Sequence, residues 1–236
     1  MKFIKVNSYY ELSQLTGDII ISQIKEKPDS VIGLATGSTP IGTYDYLVNK
    51  NKEGVVDFSK VKSINLDEYI GLSQDNEQSY RYFMNKHLFD NINIDKYNTY
   101  VPDGMAKNIE EECKIYDARI EKLGGLDLQL LGIGIDGHIG FNEPDEIFTK
   151  ATHKVKLDES TIEENSRFFD SIDEVPKSAI TMGMKGIMGA KKILLIANGK
   201  NKKEILEKAM FGEITPRVPA SILQLHNDVT VIYSEN

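Results

Sequence analysis

Short apolar runs that break into glycine, serine or acidic residues recur along this chain, with helical periodicity between them, and few architectures accept that alternation. "SVIGLATGSTP" (30–40) is rich in β-branched residues and ends in Gly37, Ser38 and Thr39. Pro40 stands where a helix through Tyr44, Leu47 and Val48 can start. "VKSINLDEY" (61–69) reads as a strand from about Val61 to Leu66 that ends in acids. "LDLQLLGIG" (126–134), "KKILLIANG" (191–199) and "VTVIY" (229–233) are buried-type strands. Between them, Ser8 with Glu11 makes a capping box ahead of Leu12, Leu15, Ile19 and Ile20. Helices are expected over Tyr80 to Leu88, from the Asn108–Glu111 cap to Leu123, and over Lys202 to Met210. Tyr100 falls in a short extended piece. "THKVKLD" (152–158) alternates like a half-exposed strand, "SAITMGMKGIMGA" (178–190) reads as a short strand running into a small-residue helix, and "PASILQLH" (219–226) as a short helix.

Strands alternating with helices predict an α/β chain: one Rossmann-like three-layer domain over residues 1–236, its mostly parallel sheet covered by helices on both faces. No repeat, low-complexity tract or linker interrupts it. The polar residues follow the apolar strands, which places them at the carboxyl edge of the sheet, where such folds bind ligands.

Composition narrows the partners. With a net charge of -8 and both signs mixed along the chain, broad binding to a nucleic-acid backbone is not expected, while a local anion grip remains open. The apolar runs fall far short of the roughly 18 residues a membrane helix needs, and "MKFIKVNSYYELSQLTGD" has no signal-peptide run. A lone cysteine, Cys113, cannot form an internal disulfide. A cytoplasmic protein with neither membrane nor nucleic-acid partner is the expectation.

Candidate chemistry clusters after the strands. "ATGSTP" (35–40) offers backbone N–H groups and two hydroxyls to an anion, but it lacks the Gly-Lys-Ser/Thr ending of a Walker loop and the third glycine of a dinucleotide loop. Its plain alternative is a strand-to-helix turn in which Ser38 or Thr39 caps the helix. Asp67 and Glu68 close a strand; neighbours on a strand point to opposite faces, so one of the pair is expected to enter a cleft. In "GIGIDGHIGFNEPDE" (132–146), Asp136 argues against a pyrophosphate. Asp136, His138 and Glu143 suit an oriented acid–base relay. A plain turn with a spectator histidine and a metal site that could also use His153 stay open on the residues alone. Arg167 in "ENSRFFD", Lys202 in "NGKNKKE" and Arg217 in "TPRVP" are the candidate anion-binding cations, and Lys200, Lys202 and Lys203 cannot be ranked by sequence physics.

Together "ATGSTP", "NLDEYIGL", "SYRYFM", "GIGIDGHIGFNEP", "NSRFFD" and "ILQLH" resemble the glucosamine-6-phosphate deaminase (isomerase) family in its own order, over most of the chain. The related 6-phosphogluconolactonases look similar in the "DGH" loop but typically carry arginine after the "DE" pair and lack "FNEP". Tyr69 and Asn142-Glu143-Pro144 favour the deaminase side. What the resemblance implies is conversion of glucosamine 6-phosphate and water to fructose 6-phosphate and ammonia, in amino-sugar catabolism. It makes Asp67 the base that moves the C2 proton to C1, and His138 the group for ring opening, with Asp136 and Glu143 as its acidic partners. It puts Gly37, Ser38, Thr39, Arg167 and Lys202 at the 6-phosphate. No cofactor and no metal are implied. A lid over about 145–175 is expected, and a monomer or small homo-oligomer: the effector-site serine, arginine and lysine of longer hexameric members align with Glu146, His153 and Val155. A sugar-phosphate lactonase and a non-catalytic sugar-phosphate binding module are the alternatives.

Overall fold

The computed structural model describes residues 1–166, 169 and 171–236. Its strands are β1 (Lys2–Val6), β2 (Val31–Leu34), β3 (Lys62–Asn65), β4 (Asp67–Tyr69), β5 (Thr99–Tyr100), β6 (Leu128–Leu131), β7 (His153–Lys156), β8 (Ser178–Thr181), β9 (Lys192–Asn198) and β10 (Val229–Ser234). The helices are α1 (Tyr9–Glu26), α2 (Ile41–Lys52), α3 (Tyr80–His87), α4 (Ile109–Lys122), α5 (Glu159–Ser166), α6 (Met184–Met188) and α7 (Lys203–Phe211).

A seven-stranded sheet in the order β1-β10-β9-β6-β2-β3-β5 runs parallel throughout. Side chains alternate across it: Leu194 and Ile196 of β9 face α1, α2 and α3, while Ile193 and Leu195 face α4, α6 and α7. Because both faces are buried, the central strands read as continuous apolar runs. This is the expected three-layer α/β arrangement. The chain turns outward from β2 through β3 to β5, then returns to the far side of β2 with β6. That reversal sets the carboxyl ends of β2 and β6 side by side, and a cleft opens at such switch points.

The caps form as the sequence indicates. Ser8 Oγ accepts from Glu11 N at 3.2 Å, although Glu11 returns its carboxylate to Asn7 N (2.8 Å), one residue earlier than a capping box requires. Asn108 accepts from Glu111 N, and the helix stops at Gly124 and Gly125, both at positive φ. Other expectations need correction. The first strand, β1, is absent from the pattern reading because an edge strand half-exposed on both faces carries no clean alternation. A second, antiparallel sheet, β4-β8-β7, stands beside the parallel one and pairs Asp67 with Thr181. Lys200–Lys202 is a 3-10 turn, so the last long helix starts at Lys203, and Pro219–Leu225 is a 3-10 helix. Among the described residues no helix is long and apolar enough to cross a membrane.

At the amino end of the parallel sheet, Asp127 accepts from Lys27 Nζ (2.8 Å), Lys191 Nζ (2.8 Å) and Val31 N (2.9 Å). Burial opposes its charge, but these donors outweigh it and hold the carboxyl down at about 2. Asp127→Ala is expected to cost about 1–3 kcal/mol, since it strips a buried carboxylate from a backbone N–H and two ammonium groups. The wild-type contribution is full above the ordinary carboxylate value and fades as pH falls toward 2. Urea midpoints should therefore separate widely near neutrality and converge in acid.

Candidate active site

A cavity of about 310 Å³ opens where β2 and β6 end, walled also by the turn after β9 and by Asp67 of β4. Gly37, Ser38, Thr39, Asp67, His138 and Lys202 all line it, so residues spread over the chain meet at one place.

The "ATGSTP" turn is held from behind. Tyr9 of α1 donates to the carbonyls of Ser38 (3.2 Å) and Thr39 (3.0 Å) and accepts from Gly42 N (2.8 Å). Tyr44 donates to the Ala35 carbonyl. Gly37 takes φ +94°, a conformation other residues rarely adopt. The helix that follows has Pro40 as its N-cap, with no side-chain capping bond. Ser38 and Thr39 therefore do not serve as caps of this helix. They line the cavity together with Lys202.

His138 enters from the loop after β6. Asp136 Oδ1 lies 2.7 Å from His138 Nδ1 and also accepts from the His138 backbone N–H at 3.0 Å. This contact orients the ring, and a proton on Nδ1 facing the Asp136 carboxylate makes Nε2 the basic nitrogen. Glu143 Oε2 lies 3.5 Å from the same Nδ1. Gly134 is what lets the ring lie flat on the loop: a Cβ there would sit 2.3 Å from the imidazole. Burial would raise Asp136, but the hydrogen bond and charge of His138 prevail and pull it to about 2, so it stays ionised. Glu143 is pushed up by burial, with His138 opposing.

The donor atoms of Asp136, His138 and Glu143 lie within 4.8 Å of one another, close enough to share an ion. A cation there would have to replace the 2.7 Å Asp136–His138 bond. His153 is elsewhere, in β7, with Nδ1 near the Ala151 carbonyl. The arrangement suits proton transfer through Nε2.

Asp67 is 5% exposed, and its carboxyl is raised to about 8, chiefly by burial, then by Glu68, with His138 opposing. Gly140 passes beside it at φ +60°, where a Cβ would crowd Thr181 Oγ1 at 3.0 Å. Glu68 points the other way, as strand alternation requires, and lines a separate cavity with Arg81. Arg217 pairs with Glu146 at the surface, away from the site. Arg167 lies outside the described residues.

Sequence reasoning missed Thr36, Tyr80, Thr161, Asn198 and Asn201, which also line the cavity. Tyr80 is stacked on Phe141 (centroids 5.8 Å, 13° between planes) and its hydroxyl is 3.4 Å from that of Tyr69. Only Tyr80 carried a signal, the "SYRYFM" motif. Thr161 comes from the stretch expected to act as a lid.

Known proteins share this frame. A family model described as glucosamine-6-phosphate isomerases/6-phosphogluconolactonase matches residues 9–232. A glucosamine-6-phosphate deaminase of Lachnoclostridium phytofermentans is 62% identical over 98% of both chains. One of Clostridium perfringens is 57% identical over 100% of this chain and 98% of its own. The solved structure of a monomeric glucosamine-6-phosphate deaminase superposes with a TM-score of 0.97 at 46% identity, covering 99% of this chain and 97% of the other. A 6-phosphogluconolactonase from Thermotoga maritima shares the fold alone, with a TM-score of 0.75 at 19% identity over 99% and 98% of the two chains. The chain belongs to the glucosamine-6-phosphate isomerase and 6-phosphogluconolactonase family.

Proposed function

We propose that this protein converts glucosamine 6-phosphate and water to fructose 6-phosphate and ammonia. The observation that carries the reading is that Asp67 and His138 line one cavity as two separate proton-handling groups. Lactone hydrolysis has a use for an oriented imidazole but none for a second acid–base group, and a binding module needs neither. The relatives named for the deaminase reaction cover nearly the whole chain.

The chemistry divides between these two groups. The C2 hydrogen of an aldose is acidic only after the ring opens and C1 can accept electron density. His138 Nε2 takes the proton from the C1 hydroxyl and returns one to the ring oxygen, with Asp136 holding the imidazolium that forms in between. Asp67 then takes the C2 proton and delivers it to C1. In the same step the amine gives up a proton and O1 gains one, so C1 becomes CH2OH and the C2–N bond an imine; water then adds at C2 and ammonia leaves. Ser38, Thr39, the Gly37 backbone and Lys202 grip the 6-phosphate, with Arg167 assigned there by family resemblance alone. That remote grip aligns the sugar for both steps. We read the chain as a cytoplasmic monomer or small homo-oligomer acting on a small molecule.

The test is direct. Chelator-treated protein incubated with glucosamine 6-phosphate should yield ammonia and fructose 6-phosphate in equal amounts. Release of neither, or activity confined to a sugar-phosphate lactone, would overturn the assignment.

A further inference from the structure

Two carboxyls stand back to back on β4, and their surroundings differ sharply. Glu68 is 2% exposed, and its oxygens are committed as acceptors: Oε1 takes the N–H groups of Tyr69 (2.8 Å) and Tyr80 (2.9 Å), and Oε2 takes that of Arg81 (2.9 Å). The Arg81 guanidinium, fixed on Thr99 at 2.8 and 2.9 Å, stands near it. Asp67 is as deeply buried, and no donor among the described residues reaches its carboxyl. Burial raises both carboxyls, Asp67 to about 8 and Glu68 to about 7, where the three N–H groups pull against it, so Asp67 keeps its proton to the higher pH. The donor inventory decides where it sits. A protonated Glu68 would turn an O–H toward backbone N–H groups that need an acceptor, whereas a protonated Asp67 disturbs nothing.

We propose that Glu68 is a positioning residue for the base: it ionises before Asp67, so the resting protein keeps a proton on Asp67, and the bonds from the Tyr80 and Arg81 N–H groups tie the base strand to α3 and hold Tyr80 over the cavity. This rests on the deaminase reading for its use, and on the geometry of β4 for its existence. The Asp67 proton goes to solvent before the C2 proton can be taken up. What remains is a stronger base than an ordinary carboxylate, because burial and, after it, the Glu68 charge behind it oppose its own charge. The other groups facing Asp67 do not supply this opposition. His138 acts in the opposite sense, and Tyr44, Tyr69, Tyr80 and Tyr116 are buried phenols held above their ordinary values and therefore neutral.

Infrared difference spectra and the pH profile of kcat/KM test it. Wild-type protein at a pH midway between about 7 and about 8 should show a carboxylic-acid C=O band that Asp67→Asn removes, and that Glu68→Gln largely removes at the same pH. In Glu68→Gln the acid limb of kcat/KM should move down on the order of one pH unit, because the like charge has gone. Its plateau should fall about three- to tenfold as the base weakens. A lower plateau with an unmoved acid limb would make Glu68 a mere anchor of α3, and would overturn the proposal. So would the lack of any Asp67-dependent acid band in the wild type, a comparison that stands even if Glu68→Gln does not fold. Failure to release ammonia would instead overturn the deaminase reading and leave the infrared result intact.

Discussion

Replacing Asp67 with asparagine is expected to cut turnover by about 10²–10⁴-fold while making the fold more stable above acid pH. The two effects share one cause. Asp67 is raised to about 8, first by burial and then by Glu68, with His138 pulling against them. An unfolded chain would release this proton at the ordinary carboxylate value of 3.8. Between those values the folded protein holds a proton that the unfolded chain has lost, so the folded state loses ground as pH rises. Above about 8 the cost is complete, and the folded protein carries a buried, unsupported charge. Asparagine fills the same space without that charge. The gain should be absent near pH 3.8, grow through neutrality and level off above about 8, reaching roughly 0.5–2 kcal/mol as is common where a strained functional group is relieved. Thermal melts of both proteins at several pH values would show it. A variant that is inactive but no more stable at alkaline pH would refute the buried-charge account. A variant with wild-type turnover would refute the base role. For the wild type, kcat/KM should climb with pH toward about 8, because the ionised form takes the C2 proton.

Much of this is legible in the sequence, for reasons that differ by residue. The parallel strands were legible because burial on both faces leaves runs such as Leu194 to Ala197 without interruption. Caps at Ser8 and Asn108 were legible because their partners lie three residues away. The switch point could be anticipated only in outline, yet that was enough to put Asp67, His138 and the "ATGSTP" turn at one sheet edge. What stayed hidden depends on distant pairing. The register that sets Asp67 against Thr181 joins segments more than a hundred residues apart, and three residues of β4 carry no period of their own. The same is true of Glu68. Strand alternation says that it leaves the cleft, but nothing local says that the amides of Tyr80 and Arg81 await it. Asn198 and Asn201 line the cavity without any pattern that marks them.

His138→Gln should lower turnover on cyclic glucosamine 6-phosphate by about 10²–10⁴-fold, yet in a way that distinguishes it from the Asp67 variant. Glutamine can still donate to Asp136, which also keeps the backbone N–H of residue 138 at 3.0 Å. The loop is therefore expected to hold its shape. Ser38, Thr39 and Lys202 come from other segments, so KM should change far less than kcat. The ring also opens unaided in water, and the variant retains Asp67 to act on whatever open chain appears. Its rate should therefore rise with enzyme concentration only until spontaneous ring opening limits it, and then flatten. The Asp67→Asn rate, limited by the C2 proton, should stay proportional to enzyme over the same range. Plateau and proportionality can be read from initial rates of ammonia release at increasing concentrations of each variant. If the His138 variant also stays proportional to enzyme, ring opening is not its task, and the division of labour between the loop after β6 and the base on β4 falls with it.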